Sequence, residues 1–139
     1  MPTAPTVRRF GGSCHCGAVR FEVDLDLSVG TTRCNCTYCT KHGWWGALVK
    51  PDAFRILAGE EALVAKEPNA WSDRRPCSTC GVLPFGRGDM PELGGAYVSI
   101  NVRCLDVAGL VGSPVRYLDG RSDTWAELAV RPWSDPFVG

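Results

Sequence analysis

Eight cysteines in 139 residues, seven of them drawn into short groups, constrain this chain more than anything else in it. The groups are Cys14-His15-Cys16-Gly17, Cys34-Asn35-Cys36-Thr37-Tyr38-Cys39 and Cys77-Ser78-Thr79-Cys80-Gly81, with Cys104 apart. Free cysteines scattered through a core would not cluster in this way, and a disulfide framework requires export to an oxidising compartment. Met1 to Phe10 alternates proline and threonine before Arg8 and Arg9 and has no apolar core of a secretion signal. A reducing cytoplasm is therefore expected, and the thiols read as metal ligands.

In the third group, two residues between cysteines followed by glycine is the knuckle in which both sulfurs converge on a tetrahedral ion, with Gly81 permitting the tight turn. A structural zinc takes four protein ligands, and Cys14 and Cys16 supply the second pair: in an extended segment, residues two apart project to one face. Cys14, Cys16, Cys77 and Cys80 are thus expected to close one structural zinc site whose loss unfolds the domain.

The middle group packs Cys34, Cys36 and Cys39 into one tight loop, so all can address a second zinc and leave its fourth position open, as in catalytic sites. Three thiolates overcompensate the ion's charge, making it a poor polariser of carbonyls that can still deprotonate a bound thiol. The expected substrate is a thiol. Cys104, on a strand-like run, is expected in the core.

Fifteen basic residues balance fifteen acidic ones, which argues against a nucleic-acid partner, and cysteine ligation to two zincs would shift the holo protein to about −3. The longest nearly apolar stretch, Val107 to Gly112, is far short of the ~18 to 20 residues of a membrane span. Strand-length segments recur at Ala18 to Leu25, Trp44 to Val49, Phe54 to Leu57, Ala62 to Lys66, Tyr97 to Val102 and Val115 to Leu118. In the first, Val19, Phe21, Val23 and Leu25 face one way and Arg20, Glu22, Asp24 and Asp26 the other. Helix is expected only as a turn or two near Thr37 to His42, and long loops at Glu67 to Pro76 and Phe85 to Gly95. These features describe a mainly β chain with little helix: a flexible arm over residues 1–8 and a single zinc-binding domain over 9–139.

With Gly12-Ser13-Cys14-His15-Cys16-Gly17-Ala18-Val19-Arg20-Phe21, the two later cysteine groups, Val102-Arg103-Cys104-Leu105-Asp106 and Pro132-Trp133 in view, the chain resembles the glutathione-dependent formaldehyde-activating enzymes, the family that also includes the centromere protein V type. The resemblance implies an Mss4-like fold of short, coiled antiparallel β-sheets stitched by zinc. It also implies a structural zinc on Cys14, Cys16, Cys77 and Cys80, and a catalytic zinc on Cys34, Cys36 and Cys39. The implied activity is that of a carbon–sulfur lyase run in reverse, joining glutathione and formaldehyde, or another small aldehyde, into S-hydroxymethylglutathione. The stretch from Arg116 to Arg131 departs from the family pattern.

Glutathione carries two carboxylates, so its cradle should offer cations, and Arg33 and Lys41 flank the triplet. His42 is a candidate fourth ligand or proton shuttle, and Trp44 a candidate pocket wall. His15, between two ligands on an expected strand, should face away from the metal. Two other functions fit the same cysteines: a zinc-stabilised binding module, or a redox sensor whose triplet releases metal on oxidation.

Overall fold

Val19, Phe21, Val23 and Leu25 are all buried, whereas the alternating Arg20, Glu22, Asp24 and Asp26 lie half or fully exposed. The computed structural model, which describes residues 6–67 and 72–134, builds outward from this strand. In chain order the elements are β1 (Val7–Ser13), β2 (Arg20–Asp26), β3 (Thr31–Cys34), the helix α1 (Thr37–His42), β4 (Trp45–Val49), β5 (Phe54–Ala58), β6 (Asp73–Arg74), β7 (Phe85–Met90), β8 (Gly95–Asn101), β9 (Pro114–Leu118) and β10 (Glu127–Pro132). The chain is mainly β, as expected, and α1 occupies the expected turns.

One sheet has the order β1-β2-β5 and the other the order β10-β9-β3-β4-β8-β7-β6. Neighbours are antiparallel except β3 and β9, which run parallel with Thr31 opposite Val115 and Cys34 opposite Leu118. The expectation of antiparallel sheets alone is corrected at this pair. The parallel pairing matters for the site, because it carries Cys34 to the same end as the segment that leaves β9.

Phe21 of β2, Phe54 of β5 and Phe85 of β7 form the centre of the core, with ring centroids 5.5, 6.0 and 4.7 Å apart. Trp45 and Trp133 pack at 4.5 Å, and the Trp45 indole N–H donates to the Thr31 hydroxyl at 2.6 Å. Truncating Phe21, fully buried between two aromatic neighbours, removes packing from both sheets at once. Phe21→Ala is expected to cost about 3–5 kcal/mol of unfolding free energy, as a denaturant titration will show.

Several sequence expectations are corrected. Val7 and Arg8, placed in the arm, already pair with Asp26 and Leu25; residues 1–5 lie outside the described residues. The charges that disguised β1 are satisfied across the sheet, where Arg9 bonds Asp24 at 2.9 Å and holds that carboxyl below its usual range. Phe85 to Met90 is a strand rather than a loop, since its ladder to β8 offsets the low strand preference of its glycines. Part of Glu67 to Pro76 is also paired, as β6, and residues 68–71 are outside the described residues. Ala62 to Lys66 is no strand: a 3-10 turn covers Glu60–Ala62, and a lone bridge joins Leu63 to Cys77.

Candidate metal centres and the adjoining cleft

The first cysteine centre is assembled by two turns. Cys14 directly follows β1, and Gly17 and Gly81 both have φ of 80°, so the Gly17 and Gly81 amides fold back to the carbonyls of Cys14 at 3.2 Å and Cys77 at 2.8 Å. The pair Cys14 and Cys16 therefore lies in a knuckle of its own, not in the extended segment expected from its spacing; glycine makes the tighter path available. The segment after the 60–62 turn pins the second knuckle, with Ser78 donating from amide and hydroxyl to the Ala62 carbonyl at 2.8 and 2.7 Å.

The four sulfurs of Cys14, Cys16, Cys77 and Cys80 lie within 4.8 Å of one another. Cys16 is 3.6 Å from Cys14 and 3.7 Å from Cys77. Four thiolates about 2.3 Å from a tetrahedral zinc are separated by about 3.8 Å, whereas a disulfide brings sulfurs to about 2.05 Å. The spacing fits the ion and excludes the bond. Two of the four cysteines, Cys14 and Cys77, are buried. The Val82 and Cys16 amides lower the Cys80 thiol to about 6, so this set already favours one thiolate.

The second centre joins the end of β3 to α1. Cys34, Cys36 and Cys39 also bring their sulfurs within 4.8 Å of one another, all half-buried. Cys36 caps the helix: its sulfur accepts from the Cys39 amide at 3.3 Å, while the Cys36 amide donates to the Cys34 sulfur at 3.4 Å. Burial, then the neighbouring Cys36, push the Cys39 thiol up to about 12. A divalent ion relieves that cost by stabilising thiolates. Among the described residues no fourth cysteine, histidine or carboxylate joins this set. Its chemistry fits a metal bound by three thiolates.

A cleft of about 1070 Å³ draws its lining from both cysteine regions, with His15 and Gly81 from the first and Tyr38 and His42 from the second. His42 is not part of the sulfur cluster; its ring stacks on Tyr38 at 4.2 Å, and the Arg74 guanidinium lies 4.3 Å from the centroid of that tyrosine ring. Trp44 lines the same cleft, whereas Arg33 and Lys41 do not. His15, expected to be a structural residue, is an exposed member of the lining. Cys104 is half-buried against the core and also reaches the cleft, and burial pushes its thiol up to about 12.

Arg74, Arg103 and Lys66 are lining cations that sequence reasoning missed. Arg74 fell in an expected loop; Arg103 stood inside a recognised motif, the one local signal. Among the described residues no aspartate or glutamate belongs to the lining, and neither arginine pairs with a carboxylate. Arg103 donates to the Gly43 carbonyl at 2.8 Å, and burial, followed by the nearby charge of Arg33, lowers its pKa. Arg33, outside the lining, thus adds to the positive potential at Arg103.

The sequence profile of the glutathione-dependent formaldehyde-activating enzymes matches residues 9–116. A Penicillium rubens protein provisionally named as such an enzyme is 35% identical over 81 residues, 53% of this chain and 41% of its own length. A similarly named Phaeosphaeria nodorum protein is 33% identical over 98 residues, 64% of this chain and 50% of its own. The chain thus spans half or less of the length of these curated relatives. Among solved structures, a crystal structure of a Rhodobacter sphaeroides protein superposes with a TM-score of 0.56 at 28% identity, covering 69% of this chain and 87% of that one.

Proposed function

Since the chain belongs to the family of glutathione-dependent formaldehyde-activating enzymes, we propose that it is a carbon–sulfur lyase-type enzyme that joins glutathione to formaldehyde or another small aldehyde. It does so with zinc at both cysteine centres and within one domain over 9–139. The observation that carries this reading is the carboxylate-free cleft bearing Arg74, Arg103 and Lys66 beside a cluster of three half-buried sulfurs. Cysteines free of disulfides suit a reducing compartment, so we place the protein in the cytoplasm; among the described residues no helix is long and apolar enough to cross a membrane.

When bound at Cys34, Cys36 and Cys39, zinc would supply a place where a thiol gives up its proton near neutral pH. The remaining work falls to the chain. Arg74 and Arg103 hold the two glutathione carboxylates by charge-assisted hydrogen bonds, and Trp44 limits where the peptide can lie. The Tyr38–His42 stack stands on the same helix as Cys39, so a tripeptide anchored at Arg74 lies along the face that leads to the sulfurs. Fixing the thiol beside its aldehyde is the larger part of the rate gain, because ionisation alone is worth at most about 100-fold.

Arg74→Ala is the test. Losing a charged hydrogen bond is expected to raise KM for glutathione about tenfold with kcat nearly unchanged, while the rate with cysteamine, which has no carboxylate, stays as it was. An unchanged KM for glutathione, or an equal loss with cysteamine, would overturn the cradle. One tightly held ion per chain with no thiol binding would favour the binding module instead.

A further inference from the structure

The segment after β9 is fastened to the second centre by Asn35, the residue between two of its cysteines. The Asn35 amide group donates to the Asp119 carboxylate at 3.1 Å, its carbonyl accepts from the Arg121 amide at 2.8 Å, and its backbone N–H donates to the Leu118 carbonyl at 3.3 Å. Asp119, held below the usual carboxylate range chiefly by that Asn35 bond, then accepts from the Ser122 amide at 3.2 Å. These contacts set Gly120 so close to the centre that a Cβ there would collide with the Cys34 sulfur. The same Cβ would also meet the six-membered ring of Trp125 at 2.8 and 3.0 Å. Only glycine lets the indole stand this near the sulfur.

Trp125 is itself held unusually. Its φ is 57°, a left-handed conformation that bulky side chains enter only where their surroundings impose it, and such residues cluster at ligand sites. It remains 55% exposed, the one aromatic side chain among the described residues to be so open. A large apolar face is therefore kept in water, at a cost in backbone strain, within a glycine's width of a candidate metal ligand. It does not belong to the cationic cleft, whose lining reaches the second centre through Tyr38 and His42 instead.

We propose that Trp125 walls a separate subsite for the carbonyl partner on the Cys34 side of the second centre, and that this subsite favours aldehydes with an apolar or aromatic substituent over formaldehyde. The inference rests on the thiol-plus-aldehyde reading above. The reaction it serves is an addition. The thiolate sulfur bonds to the carbonyl carbon, the π pair of the C=O bond moves to oxygen, and that oxygen takes up the proton the thiol released. Nothing is oxidised or reduced, and no further reactant is required. An indole face stacks on or packs against the substituent of such an aldehyde and finds nothing to grip in formaldehyde.

The test has two arms on the full metal-loaded chain. In the first, the indole N–H resonance that disappears in W125F is followed by NMR while phenylacetamide, an unreactive carbonyl analogue with the same benzyl substituent as phenylacetaldehyde, is added. That resonance is expected to move, and acetamide is expected to leave it in place; no movement, or equal movement with both, overturns the subsite. In the second, kcat/KM is compared for phenylacetaldehyde and formaldehyde. W125G, whose residue suits the left-handed backbone and keeps the loop, is expected to lose about tenfold on phenylacetaldehyde and under twofold on formaldehyde, with W125F recovering most of the loss. Equal losses on both aldehydes would overturn the proposal while leaving the thiol-plus-aldehyde reading intact. Should no aldehyde turn over, that reading fails and the NMR arm alone decides the subsite.

Discussion

A chain carrying Cys77→Ser is expected to emerge unfolded, with weak near-ultraviolet dichroism, no cooperative melt and a loss of bound metal. Cys77 is 1% exposed, and its sulfur sits in a set of four spaced for a single ion. Its backbone also holds the knuckle together, accepting from Gly81 at 2.8 Å and donating to the Val82 carbonyl at 2.9 Å. A structural zinc contributes on the order of 10–16 kcal/mol of apparent binding energy at neutral pH, against a net stability of about 5–15 kcal/mol for a whole domain. Losing one of four thiolates forfeits a large part of that sum. The same centre ties the loop after β1 to the loop ahead of β7, so its failure separates elements of both sheets. Chelation of the wild-type chain should reproduce the phenotype, and a Cys77→Ser protein with an unchanged melting temperature would refute a scaffolding role for this centre.

Cys36→Ser should behave in the opposite way: glutathione binding and turnover lost, metal content reduced by one ion per chain, and the melting temperature within about 5 °C of wild type. The reason lies in the second duty of this residue. Cys36 is the N-cap of α1 and its sulfur accepts the Cys39 amide. Serine is among the preferred residues at that position, and its hydroxyl can take over the bond. The helix is thus preserved while a thiolate ligand is replaced by a neutral hydroxyl with little affinity for a soft site. Metal analysis, a thermal melt and calorimetric titration with glutathione check the three parts separately. A variant that unfolds would show the second centre to be scaffold as well, and one that still binds glutathione would remove the triplet from the active site.

The contrast between these variants follows from the cysteine partition, and that partition was legible in the chain as written. Short spacings bring sulfurs together within each of Cys14-x-Cys16, Cys77-x-x-Cys80 and Cys34-x-Cys36-x-x-Cys39 through local backbone geometry, while the meeting of the first two pairs, more than sixty positions apart, is the work of the fold. Strand β2 was equally plain, because its alternation is a local pattern with one buried face. Strands β1, β3, β6, β7 and β10 are not among the strands the sequence predicts. Arg8 and Arg9, the glycines of β7 and the exposed residues of β10 carry weak local signals, and their pairing depends on partners far away in sequence.

Residue chemistry and spacing by themselves determined a β-rich chain and two separate sulfur clusters. Tertiary structure alone decided that Arg74 and Arg103 share one cleft, that Asn35 clamps a segment more than eighty positions away, and that Trp125 and Cys34 both stand against Gly120. Each cysteine group is a matter of contacts a few residues long, which a spacing encodes directly. The candidate cleft and the Trp125 segment are built on or beside strands of the seven-stranded sheet that are distant along the chain, and only the pairing of those strands brings them within reach of each other.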